Sequence, residues 1–245
     1  MKHCFKFFSS LLIILPLMCS IITANAFDVK TDNLSRVKSI LNQYVDSHQY
    51  TKDLSQVTQR AQVTLTKSVQ AHLALKHSKP LAIVFDIDET LLSNYPMMRH
   101  YAYGGDQPLF DRFAAQADAP LIEPTAQLYH QALQQGVHVF LITGRPAFLR
   151  QATIDNLKRH GLNHWDALML LPKNNRLTIG AFKTASRKKI VKQGYTIIMN
   201  VGDQLSDLVG GYSQSRVKLP NPFYLIPADQ RRIESAHSFL HKRSA

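Results

Sequence analysis

The sequence of 245 residues is poor in cysteine, and both of its cysteines, Cys4 and Cys19, lie near the amino terminus. Charged residues make up only 19% of the chain, which also has 11 prolines, 10 glycines and a single tryptophan. With 45% apolar residues, this composition excludes disordered, collagen-like and disulfide-rich proteins. It is typical of one globular domain with a hydrophobic core.

The first 26 residues have the pattern of an export signal. Lys2 and Lys6 precede an apolar run over residues 7–22, and the chain then reads Ala-Asn-Ala up to Ala26. The run is shorter than the roughly 20 residues of a membrane-spanning helix, and Pro16 interrupts it. We therefore expect cleavage after Ala26 rather than a retained membrane anchor.

Cleavage after Ala26 would leave residues 27–245 as the mature domain, which contains no cysteine. With no cysteine, a mature chain of residues 27–245 could form neither disulfides nor thiolate metal sites. A lipoprotein signal at Cys19 is a weaker alternative, because Met18 stands where such signals prefer a small residue. We expect an exported protein, periplasmic or secreted, with no membrane attachment after cleavage.

Basic residues outnumber acidic ones by 29 to 17, so the formal net charge is +12, or +10 after loss of Lys2 and Lys6. Such a surplus attracts phosphate groups, nucleic acids or anionic lipids without selecting among them. The interleaved basic and aromatic runs of nucleic-acid-binding proteins are missing, so we predict no nucleic-acid partner. The eleven histidines show none of the spacings of a zinc site.

The spacing of the apolar residues changes after Pro80. Between Asp32 and His77 they recur every three or four residues, which predicts two amphipathic helices packed on the core. Five short apolar runs then alternate with helical stretches: Leu81–Phe85, Val137–Ile142, Ala167–Leu171, Thr196–Val201 and Phe223–Ile226. This alternation predicts an α/β fold, a doubly wound parallel sheet with helices on both faces.

About 30 residues, 93–123, separate the first predicted strand from a helix that opens at Pro124. Pro146 is likewise expected in the first turn of a helix. An insertion at the carboxyl ends of the strands can form a small cap over the ligand crevice. Its aromatic residues either contact a ligand or form a core of the cap itself, and the sequence leaves both open. They are Tyr95, Tyr101, Tyr103, Phe110 and Phe113.

Two carboxylates, Asp86 and Asp88, directly follow the first predicted strand. Alternation along an extended chain directs both side chains to one side. Like charges about 4 Å apart cost on the order of 4 kcal/mol at an effective dielectric constant of about 20. The pair therefore needs a cation or a shared proton, although an isolated Asp-x-Asp sequence is also compatible with a calcium loop or a helix cap.

Further polar groups follow the later strands in chain order. They are Thr143, Gly144 and Arg145 after the second strand, Lys183 at the start of a helix, and Asp203 and Asp207 after the fourth strand. A hydroxyl, a flexible backbone and a guanidinium before a helix amino terminus suit a phosphate oxygen. Because the crevice of an open α/β sheet lies at the carboxyl ends of its strands, we expect these groups to converge there.

Three segments carry a family resemblance: Phe85–Asn94 (FDIDETLLSN), Gly202–Leu208 (GDQLSDL) and Lys218–Pro222 (KLPNP). With Thr143 and Lys183, they resemble the four motifs of the haloacid dehalogenase (HAD) superfamily of phosphohydrolases. More narrowly, they are similar to the secreted acid phosphatases of its subfamily IIIB, which include class B and class C bacterial acid phosphatases and plant vegetative storage proteins. The resemblance runs from about residue 29 to residue 226 and implies a HAD-like Rossmannoid core.

The resemblance implies hydrolysis of small phosphomonoesters. Asp86 would be the nucleophile and would form an aspartyl-phosphate, and Asp88 would be the general acid and then the general base. In that reaction Asp88 must hold a proton while Asp86 stays ionised, so we expect the crowded pair to raise the pKa of Asp88 and to favour mildly acidic pH.

The resemblance also implies a metal site and a phosphate site. Mg²⁺, which prefers oxygen ligands, would bind the Asp86 carboxylate, the Asp88 backbone carbonyl, Asp203 and Asp207, the last directly or through water. The phosphoryl oxygens would bind Thr143, the Gly144 amide and Lys183.

The substrate is less well defined than the reaction. Tyr224 matches an aromatic position that stacks on a nucleobase in class C relatives, and Tyr95 is a second candidate on the leaving-group side. Packing in the cap or core is the alternative for both residues, and Arg145 either joins the phosphate site or pairs with an acid. Nucleoside monophosphates, sugar phosphates and phosphorylated amino acids remain candidate substrates, and homo-oligomerisation is left open.

A catalytically idle storage or binding protein of the same fold is the alternative function. In plant storage relatives the nucleophile has been lost, whereas Asp86 is present in this chain.

Overall fold

The structure, a computed structural model, describes residues 33–75 and 79–226. The predicted export signal, its cleavage site and both cysteines lie outside the described residues. No helix in the described part is both long and apolar enough to cross a membrane.

The described part of the chain begins with the two predicted helices, α1 (Leu34–Asp46) and α2 (Gln49–Leu73). The apolar spacing of α2 becomes a buried stripe on one face of the helix, of which Leu54, Ala61 and Leu65 are members. This stripe packs on a helix of the sheet layer, α5 (Glu123–Gln134), and both helices belong to the main hydrophobic core. The amino-terminal helices therefore complete the core of the domain.

Five parallel strands form the sheet in the order β3-β2-β1-β4-β5. Their bounds are β1 Leu81–Phe85, β2 His138–Pro146, β3 Ala167–Leu171, β4 Thr196–Gly202 and β5 Ser215–Lys218. β1 is buried along its whole length because it lies in the middle of the sheet. The predicted doubly wound α/β architecture is confirmed.

Helices cover both faces of the sheet. On one face Ile83 and Phe85 of β1 join the core that contains α2 and α5. On the other face Ala82 and Val84 pack with Ile190 of α7 (Ile179–Lys192). A further helix, α6 (Arg150–Arg159), connects β2 to β3, and the short α8 (Leu205–Leu208) follows β4. Alternate residues of β1 thus point into two separate cores.

The insertion after β1 contains two short helices, α3 (Tyr95–His100) and α4 (Gln107–Ala115), before α5 begins. Asp106 caps α4, since its carboxylate accepts a hydrogen bond from the amide of Leu109 at 3.0 Å. Because α4 contributes residues to the cavity at the sheet edge, this part of the insertion lies near the carboxyl ends of the strands.

Two predictions are wrong in detail. The fifth strand is Ser215–Lys218 and not Phe223–Ile226. This strand lies at the sheet edge, and its alternating half-buried and exposed residues give no continuous apolar run. Pro146 ends β2, and a turn of 3-10 helix at Ala147–Leu149 separates it from α6, so it is not in the first turn of that helix.

Candidate active site

The carboxyl ends of β1, β2 and β4 surround a cavity of about 340 Å³. Asp86, Asp88, Asp203 and Asp207 line it together with Lys183. Polar groups from three separate segments therefore meet at the predicted crevice, although 121 residues of sequence separate Asp86 from Asp207.

A tight loop after β1 positions the first two acids. The amide of Asp86 still bonds to the carbonyl of Val201 on the neighbouring strand at 3.0 Å. The chain then turns back on itself, with the amide of Leu92 donating to the carbonyl of Ile87 at 2.9 Å. Glu89 lies inside the loop with a φ of 50°, a left-handed conformation that few non-glycine residues adopt. The turn directs Asp88 toward β2.

Lys183 joins two of the acids in the buried centre of the site. Its Nζ lies 2.5 Å from Oδ1 of Asp86 and 2.5 Å from Oδ1 of Asp207. Burial raises the pKa of Asp86, and the neighbouring acids add to this rise while Lys183 opposes it. Burial alone would lower the pKa of Lys183, but Asp207 and Asp86 outweigh it and raise that pKa. Lys183 therefore remains a cation that compensates part of the negative charge.

The buried carboxylates also have the arrangement of a cation site. Asp86, Asp203 and Asp207 each offer one oxygen, and these oxygens lie within 4.8 Å of one another. Burial and the nearby charges of Asp207 and Glu89 raise the pKa of Asp203 to about 7. A buried cluster in which the pKa values of Asp86 and Asp203 are raised, and whose donors are all oxygens, fits a hard divalent cation.

Hydrogen bonds fix the orientation of Asp203. Its Oδ2 accepts hydrogen bonds from Nε2 of Gln204 at 2.7 Å and from Nδ2 of Asn221 at 2.7 Å. Thr90 donates to its other oxygen at 3.4 Å. The two amide side chains keep the carboxylate in one rotamer, which a ligand for a metal ion requires.

Asp88 forms an ion pair with Arg145. Nε of Arg145 lies 3.1 Å from both oxygens of Asp88, and Nη2 lies 2.8 Å from Oδ1. Asn94 donates to the same Oδ1 at 2.9 Å. Burial acts to raise the pKa of Asp88, but the charge and hydrogen bonds of Arg145, with the bond from Asn94, lower it overall.

This corrects the expected division of pKa values, because the pKa of Asp86 is raised and that of Asp88 is lowered. The sequence places Arg145 at the same sheet edge but does not show which acid it pairs with. Of the two alternatives for Arg145, the structure shows the pairing with an acid.

A buried network behind Asp88 was missed in the sequence. Glu89 accepts hydrogen bonds from the amide of Asn94 at 2.5 Å, from the Asn94 side chain at 3.1 Å and from the hydroxyl of Tyr224 at 2.8 Å. Burial, with the charge of Asp88, raises the pKa of Glu89 to about 7. The position of Glu89 beside the two aspartates was the one sequence signal for this role.

The remaining predicted residues divide into two groups. Gly144 and Tyr224 line the cavity, as does Arg145. Thr143 is fully buried behind Asp88. Its hydroxyl accepts a hydrogen bond from the backbone amide of Arg145 at 3.1 Å and lies 3.5 Å from Oδ2 of Asp88. Its predicted contact with phosphate stays a prediction.

Tyr95 does not line the cavity in the described structure. Its ring packs on Phe223 with centroids 5.2 Å apart, and its hydroxyl donates to Asn42 of α1 at 3.4 Å. The structure shows packing, the alternative role for Tyr95, and its predicted contact with substrate stays a prediction. The cap residues that do reach the cavity include Phe110, one of the aromatic residues for which ligand contact was left open, and Asp111, which no sequence motif indicates.

Comparisons with known proteins identify the family of this architecture. The family model described as HAD superfamily, subfamily IIIB (acid phosphatase) matches residues 10–227. Acid phosphatase 1 of Solanum lycopersicum is 34% identical over 212 residues, which cover 82% of this chain and 81% of that protein. Vegetative storage protein 1 of Arabidopsis thaliana is 35% identical over 160 residues, or 64% of this chain, and the match spans 59% of that relative's length.

Among solved structures, the class C acid phosphatase from Bacillus anthracis has the same fold. It aligns with a TM-score of 0.61 at 23% sequence identity, and the alignment covers 78% of this chain and 85% of that one.

Proposed function

The chain belongs to the acid phosphatases of HAD subfamily IIIB, and from this premise we propose that it hydrolyses small phosphomonoesters through an aspartyl-phosphate on Asp86. Acid phosphatases are phosphomonoester hydrolases, so membership of the family establishes this class of reaction. The observation that carries it is the convergence of Asp86, Asp88, Lys183, Asp203 and Asp207 around one cavity.

In the first step, an oxygen of Asp86 attacks phosphorus and the bond from phosphorus to the alcohol oxygen breaks. Lys183 holds Oδ1 of Asp86 and thereby fixes the carboxylate for in-line attack. The leaving oxygen takes a proton from Asp88. Because Arg145 lowers the pKa of Asp88, the protonated form that donates this proton is abundant only at acidic pH, which agrees with an acid phosphatase.

In the second step, water attacks the phosphorus of the aspartyl-phosphate. Asp88, now a carboxylate, accepts the proton of that water, and the bond between phosphorus and Asp86 breaks to release inorganic phosphate. The Arg145 pair stabilises the ionised form of Asp88 that this step needs. The Gly144 amide and Lys183 are proposed to hold the phosphoryl oxygens.

A divalent cation, proposed to be Mg²⁺, would bind Asp86, Asp203 and Asp207, with the Asp88 backbone carbonyl as a further ligand. When bound it would supply positive charge that lets a dianionic ester approach the carboxylates. The raised pKa of Asp203 supports a site that is incompletely neutralised by Lys183 alone.

The nucleophile is tested by Asp86→Asn in the purified protein. Hydrolysis of an aryl phosphate should fall by several orders of magnitude, because the amide cannot form the acyl phosphate. Asp118→Asn, which alters an exposed acid, should leave the rate unchanged. Full activity of Asp86→Asn would rule out the proposed intermediate.

The metal is tested by chelation. EDTA should remove activity and excess Mg²⁺ should restore it, while Asp203→Asn should lower the affinity for Mg²⁺ measured by calorimetry. Undiminished hydrolysis in the chelator would exclude a metal-dependent reaction.

An idle storage protein of the same fold is the second candidate, since vegetative storage proteins are among the similar proteins. The complete set of polar groups at the cavity favours the enzyme. Turnover of any phosphomonoester would exclude the storage protein.

The location and assembly are proposed from the sequence alone. We propose a domain over residues 27–245, exported after cleavage near Ala26, with a cap over about 93–123. Sequencing the amino terminus of the exported protein tests the cleavage site, and light scattering tests homo-oligomerisation.

A further inference from the structure

We propose that the leaving-group end of the cavity recognises an ammonium group, so that phosphate esters of amino alcohols are the preferred substrates. The inference rests on the proposed function, because it concerns the alcohol that the proposed reaction releases. It is carried by three side chains at the cap side of the cavity, Phe110, Asp111 and Tyr224.

The charge of the cavity differs from that of the chain. The acidic residues that line it are Asp86, Asp88, Asp111, Asp203 and Asp207, and the basic ones among the described residues are Arg145 and Lys183. Arg145 is bonded to Asp88, and Lys183 to Asp86 and Asp207. Both cations that line the cavity in the described structure are therefore already paired with acids, and neither is free to bind a second anionic group of a substrate.

Asp111 brings a negative charge to the cap wall. It is half-buried on α4, and its Oδ1 accepts a hydrogen bond from Nε2 of Gln107 at 2.8 Å. This bond restrains the carboxylate on the helix. Since the other acids come from the strand ends where phosphate would bind, Asp111 is placed to interact with the alcohol part of an ester.

Two aromatic rings flank the same region. The rings of Phe110 and Tyr224 meet nearly edge to face, with centroids 6.1 Å apart and an angle of 72°. The hydroxyl of Tyr224 donates to Glu89, which fixes the ring and increases its electron density. Aromatic faces beside a carboxylate are the groups that bind quaternary and primary ammonium ions.

Apolar side chains complete the wall, among them Leu149, Ile179 and Leu225. They suit the methylene and methyl groups of a small alcohol. With the acidic lining, they favour a compact cation over an anionic leaving group.

The test compares phosphocholine with 3,3-dimethylbutyl phosphate, which has the same shape but a carbon atom in place of the charged nitrogen. The native protein should hydrolyse phosphocholine with a kcat/KM about tenfold higher, the factor expected from an ammonium held by aromatic rings and a carboxylate. The apolar walls favour the neutral ester, so a preference for phosphocholine cannot come from hydrophobic contact.

Two variants test whether Asp111 and Phe110 cause the preference for phosphocholine. Asp111→Asn keeps the acceptor for Gln107 but removes the charge, and Phe110→Leu keeps an apolar side chain but removes the ring. Each should lower the ratio of the two kcat/KM values at least about threefold, with little change for the neutral ester. The matched control is Asp155→Asn, which alters the same kind of Gln–Asp pair on α6, where Gln151 donates to Asp155 at 2.9 Å.

The outcomes separate this inference from the proposed function. A ratio of one or less in the native protein, or a ratio that both variants leave unchanged, would overturn the ammonium site. Hydrolysis of an aryl phosphate without hydrolysis of phosphocholine would also overturn it and leave the phosphatase proposal intact. Failure to hydrolyse every phosphomonoester would overturn both.

Discussion

Replacement of Lys183 by methionine tests the electrostatic balance of the site directly. Methionine keeps much of the apolar stem and removes the charge, so Asp86 and Asp207 each lose a partner at 2.5 Å. Removing one partner of a buried ion pair costs about 3–5 kcal/mol, because the other charge stays buried without compensation. Lys183 is only 4% exposed, so water screens its charge little, and we expect a loss within this range near neutral pH.

The loss of unfolding free energy in the Lys183→Met variant should depend on pH. Without Lys183 the pKa of Asp86 in the folded protein, which burial already raises, should rise further above that of the unfolded chain. The folded variant would then bind more protons than the unfolded one, and its free energy of unfolding should increase as the pH falls. The deficit relative to the native protein should be largest at about pH 7 and smaller at about pH 5.

Urea unfolding followed by circular dichroism at both pH values, in EDTA, measures this deficit. Lys188→Met, a change at an exposed position on the same helix, should shift the free energy by less than about 0.5 kcal/mol. A Lys183→Met protein as stable as the native one at about pH 7 would refute the reasoning, because the acids would then need no buried cation. A deficit of equal size at both pH values would contradict the role of proton uptake.

Two further predictions concern the acid and the backbone of the site. Arg145→Met should raise the pKa of Asp88, so the loss of kcat on the alkaline side should move to higher pH, and an unchanged pH profile would contradict the assignment of Asp88 as general acid. Gly202→Ala would place a Cβ 2.4 Å from the Asp207 side chain, so we expect a loss of about 1–3 kcal/mol in unfolding free energy and lower activity. Gly144→Ala meets only Ile179 at 3.5 Å and should be near neutral in denaturant unfolding, and equal stability of the two glycine variants would show that the strand end relaxes freely.

The strands that carry the site were predictable because burial constrains their composition. β1 lies between two neighbours and under helices on both faces, so all five of its residues are apolar and its bounds follow from the sequence. β5 has one neighbour and exposes alternate residues, including Arg216 and Lys218, so its composition resembles that of a loop. The apolar run at Phe223–Ile226 predicts a strand, but its Phe223 packs on the aromatic rings of Tyr50 and Tyr95 instead.

The members of the site were also predictable, whereas their pairing was not. Parallel strands direct their carboxyl ends to one edge, which is sufficient to bring Asp86, Lys183 and Asp203 together. Which cation faces which acid depends on rotamers and on differences of a few ångströms that spacing does not encode. The pairing of Arg145 with Asp88 is such a case, and it reversed the expected order of the two pKa values.

The net charge of the chain and the charge of the cavity have opposite signs. A surplus of twelve positive charges raises the potential around the molecule and favours the approach of a phosphate ester. Inside the cavity the acids outnumber the bases, so the ester must exchange this favourable field for a locally unfavourable one. That exchange requires compensating charge at the phosphate end, from Lys183 and a bound cation, and it favours a positive group at the opposite end, beside Asp111. In this proposal the basic composition governs how an ester reaches the protein, while the acidic lining selects among esters by the charge of the alcohol part.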